Sequence, residues 1–146
     1  ITTSLRLQFR GGPCRAYGSD LKVWIPSERR AVYPDVTFVC GEHRYPDGMK
    51  DVLENPRGLV EVLSPTTESY DRGAKLRSYL RIPTLVEYLL VSQTEARVER
   101  YVRETPGSPQ WIYDEVVGDT SIVQLRSAAV QLRLSDIYED VEADQA

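Results

Sequence analysis

The spacing of apolar residues along the chain changes several times, and each change predicts an element. Over Ile1 to Arg10 the apolar residues Ile1, Leu5 and Phe9 fall four apart, which predicts the last turns of an amphipathic helix. Gly11-Gly12-Pro13 then ends it, with glycine past the last turn and proline close behind. From Asp20 to Ile25 the period drops to two, Leu21, Val23 and Ile25 alternating with Lys22 and Trp24, as in a half-buried strand. Asp35 to Cys40 and Leu59 to Leu63 are apolar on both faces, which predicts strands covered from both sides. A loop rich in turn formers, Gly41 to Gly58, separates them. From Asp71 to Ile82 the helical period returns, with Leu76, Tyr79 and Leu80 inward and Pro83 at the end.

The second half reads as antiparallel. Leu85 to Val91 is a strand, Gln93 to Ala96 a tight connection, and Arg97 to Arg103 its partner. Trp111 to Val117, Ile122 to Leu125 and Val130 to Leu134 are further β-prone runs, followed by a short helix from Ser135 to Tyr138 and a frayed acidic end. Strands, then a helix, then strands predict an α+β domain, residues 1–146, built on one mixed sheet with few helices. Ile1 has neither an initiator methionine nor an N-cap before it, and reads as a cut inside a longer protein.

Composition adds constraints rather than a function. With 146 residues the chain is long enough for one core without covalent staples. No apolar run approaches the roughly 20 residues that span a bilayer. Cys14 and Cys40 lack metal-ligand spacing and read as small core residues in a reducing cytoplasm. The net charge of −4 opposes a nucleic-acid partner at first sight. Five acids and no base lie between Ser135 and Ala146, however, and without them 18 basic residues face 17 acidic ones, leaving +1. Fifteen of the 18 are arginine, the side chain best shaped for phosphate. The distribution permits a phosphate-rich ligand without requiring one.

Two acids stand out by cost. Glu61 interrupts Leu59-Val60 and Val62-Leu63, where a buried strand is otherwise specified. An unpaired buried carboxylate costs several kcal/mol, so it implies an ion-pair partner such as an arginine, a proton, or a metal. Asp35, which opens the other doubly apolar strand, is either a strand-start acid or the second half of a pair with Glu61, 26 residues on. Two carboxylates at adjacent strand ends repel unless a cation lies between them, and a hard divalent ion such as Mg²⁺ meets both costs. Lys75 is open to two readings: a helical surface pair with Asp71, or an amine reaching over the strand ends towards Glu61.

The runs Tyr33-Pro-Asp-Val-Thr-Phe-Val-Cys40, Leu59-Val-Glu-Val-Leu-Ser-Pro-Thr-Thr67 and Tyr70-Asp-Arg-Gly-Ala-Lys75, with Tyr79, resemble the Uma2 family of endonucleases. Ile82 to Val91, Arg97 to Tyr101 and Leu132 to Tyr138 continue the resemblance over nearly the whole chain. It implies the restriction-endonuclease-like fold of the PD-(D/E)xK phosphodiesterases, a central mixed sheet with flanking helices. By it the proline-aspartate of that superfamily falls on Pro34-Asp35 and the second acid on Glu61. Asp35, Glu61 and the backbone carbonyl of Val62 would then hold Mg²⁺ or Mn²⁺. Position 63 is leucine, so the superfamily lysine maps to Lys75 on the helix. Asp20 also recurs in such sequences and reads here as a strand-start acid. The resemblance further implies an N-terminal helix and hairpin ahead of Ile1, carrying another acid.

Two functions of different class follow. One is a metal-dependent endonuclease hydrolysing DNA, acting as a homodimer on duplexes. The other is a non-catalytic binding or assembly module that keeps the fold. Nucleophilic hydrolysis is disfavoured because the single histidine, His43, lies in a turn-rich loop as a surface residue and no G-x-S-x-G elbow occurs. Zinc is disfavoured because no His/Cys cluster has ligand spacing.

Overall fold

The computed structural model describes residues 1–138, so most of the predicted frayed acidic end lies outside the described residues. A six-stranded mixed sheet forms the centre. Its strands are β1 (Cys14–Tyr17), β4 (Val36–Cys40), β6 (Gly58–Val62), β7 (Glu87–Val91), β8 (Arg97–Val102) and β9 (Ile112–Val117), in the order β1-β4-β6-β7-β8-β9. Within this sheet only the β6–β7 pair is parallel. A parallel pair needs a crossover, and two short helices, α2 (Glu68–Arg72) and α3 (Ala74–Leu80), supply it.

The sequence reading needs correction in several places. The predicted single mixed sheet is joined by two small ones: β2 (Lys22–Ile25) with β3 (Arg30–Val32) and β5 (Val52–Leu53), and β10 (Ile122–Gln124) with β11 (Gln131–Arg133). Strands β1 and β3 were not expected, and β5 lies inside the predicted loop. Each has only two to four residues, too few for a period to show. The helix predicted from Asp71 to Ile82 is two helices that break at Gly73, whose φ of −106° and ψ of −99° are not helical. The expected terminal helices are present as α1 (Thr2–Phe9) and α4 (Leu134–Ile137).

Alternation along the strands sorts the core into two layers. Val36, Phe38, Val60, Leu89, Val91 and Val98 face one side, where Leu5 and Phe9 of α1 and Leu134 of α4 cover them. Leu59, Leu63, Tyr88 and Leu90 face the other, against Tyr79 of α3 and Val23 and Ile25 of β2. Gly58 fits only because it lacks a side chain: a Cβ there would stand 1.9 Å from the Phe38 ring.

Cys14 and Cys40, expected as free thiols, are joined in a disulfide. They are directly opposite each other in the β1–β4 register, with Cα atoms 3.9 Å apart. Pairing of these strands, invisible in the sequence, brings the thiols together.

Another buried acid shows how a carboxylate can be accommodated without chemistry. Glu87 is fully buried in β7 and accepts hydrogen bonds from the Arg126 and Ser127 amides and the Ser127 hydroxyl. Those bonds anchor the turn between β10 and β11, and Arg100 Nη1, 3.7 Å from Glu87 Oε2, supplies an opposite charge.

Candidate active site

Three strand and helix ends converge at the C-terminal end of β6. Val36 is opposite Val60 in the antiparallel β4–β6 register, so Asp35, one residue earlier, comes opposite Glu61. Opposed residues of an antiparallel pair project to one face, and both acids therefore lie on the α3 side of the sheet. The arrangement is tied by the Val62 amide, which donates to Asp35 Oδ2 at 2.7 Å.

Helix α3 brings two donors to Glu61. Lys75 Nζ is 2.8 Å from Glu61 Oε1, and the Tyr79 hydroxyl donates to the same oxygen at 2.8 Å. One helical turn separates the two residues, so both extend from the same face of α3. Asp71 completes the group, with Oδ1 3.4 Å from Lys75 Nζ. The sequence readings of Lys75 are thus both realised: it pairs with Asp71 and reaches Glu61. The Asp71 pair is buried rather than superficial, the two side chains being 3% and 14% exposed.

The electrostatics follow from this burial. Removal from water pushes the Glu61 carboxyl up to about 7, against the hydrogen bonds and charge of Lys75 and the Tyr79 hydroxyl; the charge of Asp35 adds to the rise. For Lys75, burial opposes the ammonium, but the Glu61 and Asp71 carboxylates outweigh it and hold its pKa above the ordinary lysine range. Tyr79 is pushed far up by burial and by Glu61, and keeps its proton. Glu61 thus has two donors on Oε1 and a pKa of about 7.

The donor set suits a hard divalent cation. The protein's hydrogen bonds fall on one oxygen of each acid, Glu61 Oε1 and Asp35 Oδ2. Oε2 and Oδ1 accept no hydrogen bond among the described residues. An extended residue sends its N–H and C=O to the same side, so the Val62 carbonyl lies on the side of its amide, towards Asp35. Among the described residues no three His, Cys, Asp or Glu side chains gather as a metal cluster. A cation here would rest on two carboxylates, one backbone oxygen and water, the mixture that Mg²⁺ favours.

Asp35 and Val62 also border a cleft of about 430 Å³ shared with Ile1, Thr2, Ser92 and Gln93. Asp20 is in an exposed turn before β2, outside the Glu61 group. His43 is partly buried rather than superficial, its Nε2 2.7 Å from the Tyr17 hydroxyl. Tyr79 and Asp71 were not anticipated as site residues. A buried tyrosine hydroxyl needs a partner, and that requirement was the available signal for Tyr79.

Comparison with known proteins gives the family and the fold. Residues 1–135 match the Uma2 family, described as "Putative restriction endonuclease". Two uncharacterized proteins of Synechocystis sp., sll1609 and slr1290, are 34% and 40% identical over 73% and 88% of this chain. The matches span 59% and 65% of those proteins. The crystal structure of a "putative nuclease belonging to DUF820" from Anabaena variabilis superposes with a TM-score of 0.74, covering 96% of this chain and 76% of that one. At 17% identity this is a likeness of fold, the α+β mixed sheet.

Proposed function

We propose, given that this chain belongs to the Uma2 family, that it is a metal-dependent endonuclease hydrolysing phosphodiester bonds of DNA at the Asp35–Glu61–Lys75 group. The observation that carries this reading is the contact of Lys75 Nζ with Glu61 Oε1 at 2.8 Å, beside two carboxylate oxygens without hydrogen-bond partners among the described residues.

In this reading Asp35, Glu61 and the Val62 carbonyl hold Mg²⁺ or Mn²⁺. A bound divalent ion supplies the charge that polarises a phosphoryl oxygen and acidifies a water. The chain's own residues do the rest. Lys75, held between Glu61 and Asp71, points an ammonium at the incoming phosphate and orients the attacking water. Glu61 would take the proton of that water as its oxygen bonds to phosphorus, and the leaving sugar oxygen departs with the bonding electron pair and takes a proton from solvent. The Tyr79 hydroxyl keeps the Glu61 carboxylate in one orientation throughout. A homodimer would suit a duplex substrate, and the exposed edge strand β9, with Ile112, Tyr113 and Val117 accessible, offers a surface for pairing.

The test is cleavage of plasmid and oligonucleotide DNA with and without Mg²⁺ or Mn²⁺. Wild type should cut only with metal, and Asp35→Ala and Lys75→Ala should not cut. Cleavage unaffected by either substitution rules the reading out. One observation favours a second reading, a binding or assembly module: Lys75 and Tyr79 already give Glu61 partners, so the group can stand without a metal. Calorimetric titration that detects no Mg²⁺ or Mn²⁺ binding at millimolar concentration would select it.

A further inference from the structure

The first nineteen residues contain Arg6, Arg10 and Arg15 and no acid; the first carboxylate in the chain is Asp20. The fold gathers these arginines around one cleft of about 380 Å³ between α1 and the edge strand β1, with Phe9 and Ala16 at its floor and Tyr17 at its rim. All three arginines are exposed, and none pairs with a carboxylate among the described residues. Arg6 and Arg15 are nonetheless held in place. Arg6 Nε donates to Ala16 O at 3.0 Å, and Arg15 Nη1 donates to Gly12 O and Cys14 O at 2.8 and 2.9 Å. Backbone carbonyls are neutral acceptors, so they orient two guanidinium groups without cancelling their charge. Arg72, Arg97 and Arg100, by contrast, are each neutralised by acids, while Arg57 and Arg103 are held singly by carbonyls outside this cleft.

We infer that this cleft binds the phosphodiester backbone of a nucleic acid that passes over the sheet end at Asp35 onto the α1 face, opposite the face that carries Glu61 and Lys75. The inference rests on the proposed function for the class of ligand, and on the path of α1 for its direction. Ile1 and Thr2 border the cleft that contains Asp35 and Val62, Arg6 follows on the same helix, and Arg10 stands just past its C-terminal end. At about 1.5 Å per residue, the four-residue step from Thr2 to Arg6 advances roughly 6 Å along the helix axis. That is one to two of the ~3.4 Å phosphate intervals on one strand of a duplex. A strand with a phosphate at Asp35 can therefore pass Thr2 and meet Arg6 and then Arg10. Contacts of this kind position the nucleic acid without reading its sequence.

The test is fluorescence anisotropy of a labelled duplex and a labelled single strand, titrated with the whole chain in EDTA over a series of salt concentrations. The triple substitution Arg6→Gln, Arg10→Gln, Arg15→Gln should weaken binding at least tenfold. It should also flatten the dependence of log affinity on log salt by about three units for the duplex, near 0.9 per phosphate contact. The triple lysine variant should restore the slope, and Arg81→Gln, at the far end of α3, should leave it unchanged. Because Arg6 also ties α1 to β1, Arg10→Gln alone, which removes no hydrogen bond, should flatten the slope by about one unit in a normally melting protein. Hydrolysis of bis(p-nitrophenyl) phosphate with Mn²⁺ tests the Asp35–Glu61 site separately, since so small a diester does not reach α1. Unaltered affinity and slope in the arginine variants, or no binding by wild type, overturns the inference even if the small diester is cleaved. Binding to anionic vesicles but not to either oligonucleotide overturns it as well. Loss of binding in the variants without any diester cleavage by wild type upholds the cleft and removes the catalytic reading.

Discussion

Lys75 Nζ and Glu61 Oε1 are 2.8 Å apart, an ion pair between α3 and β6 with both side chains largely out of solvent. Removing one partner of such a pair strands the other, which costs about 3–5 kcal/mol when the charge cannot be relieved. Glu61 can relieve it by taking a proton, because burial already brings its pKa to about 7. Lys75→Met should therefore destabilise by roughly 1–3 kcal/mol in urea melts. The double variant Lys75→Met, Glu61→Gln should recover part of that loss. Cleavage should fall by at least about a hundredfold in both, the scale of losing one transition-state donor. Full activity in the folded single variant would remove Lys75 from the chemistry.

Asp35→Asn separates metal binding from folding. The asparagine oxygen can still accept the Val62 amide, so thermal stability should change by about 1 kcal/mol or less. Calorimetric titration should show Mn²⁺ binding by wild type and none by Asp35→Asn or Glu61→Gln. Equal affinity in all three proteins would place the cation elsewhere.

Two buried acids should give opposite pH dependences of stability. Burial alone would raise Glu99, but the Arg72 guanidinium and the Tyr113 hydroxyl hold it below the ordinary glutamate range. Its folded pKa is lower than its unfolded one, so its contribution is complete above about pH 4.3 and disappears as pH falls through the folded value. The stability gap between wild type and Glu99→Gln should therefore be constant near neutrality and close below about pH 4.3. Glu61 behaves in the reverse sense. Its folded pKa is raised from 4.5 to about 7, so metal-free protein loses stability between those values as pH rises. At 1.36 kcal/mol per unit the loss approaches roughly 3 kcal/mol, and Glu61→Gln should not show it. Melts from pH 3.5 to 8 with chelator check both signs.

The Cys14–Cys40 bond closes a loop with a sequence separation of 26. Loop-closure entropy for that length corresponds to about 3.5 kcal/mol. Reductant should lower the urea midpoint of wild type accordingly and leave that of Cys14→Ala, Cys40→Ala unchanged. A midpoint insensitive to reductant would mean that the bond contributes nothing in solution.

Much of the site was legible because burial is expensive for a charge. Glu61 within Leu59 to Leu63 could not be a surface acid, and Lys75 lay at the right phase of its helix to reach over the strand ends. Glu87 shows the limit of that logic. It is as deeply buried, in an equally apolar strand, yet backbone amides of a distant turn and the Arg100 guanidinium satisfy it. Asp71 looked like half of an exposed helical pair, because nothing in its neighbours reveals that β7 would cover it; the Tyr88 hydroxyl donates to its carbonyl at 3.4 Å.

From the residue pattern alone came the two doubly apolar strands, the helical period that brings Lys75 and Tyr79 to one face, and the improbability of Glu61 as an unpartnered acid. Those features depend on near neighbours in the chain, whose spacing sets which side of a strand or helix they occupy. Register was decided only by the tertiary structure. The antiparallel β4–β6 pairing puts Asp35 opposite Glu61, the β1–β4 pairing joins Cys14 to Cys40, and the packing of α1 beside β1 assembles three arginines into one cleft. Such contacts form between segments far apart in sequence, and which segments pair is set by how the whole core closes.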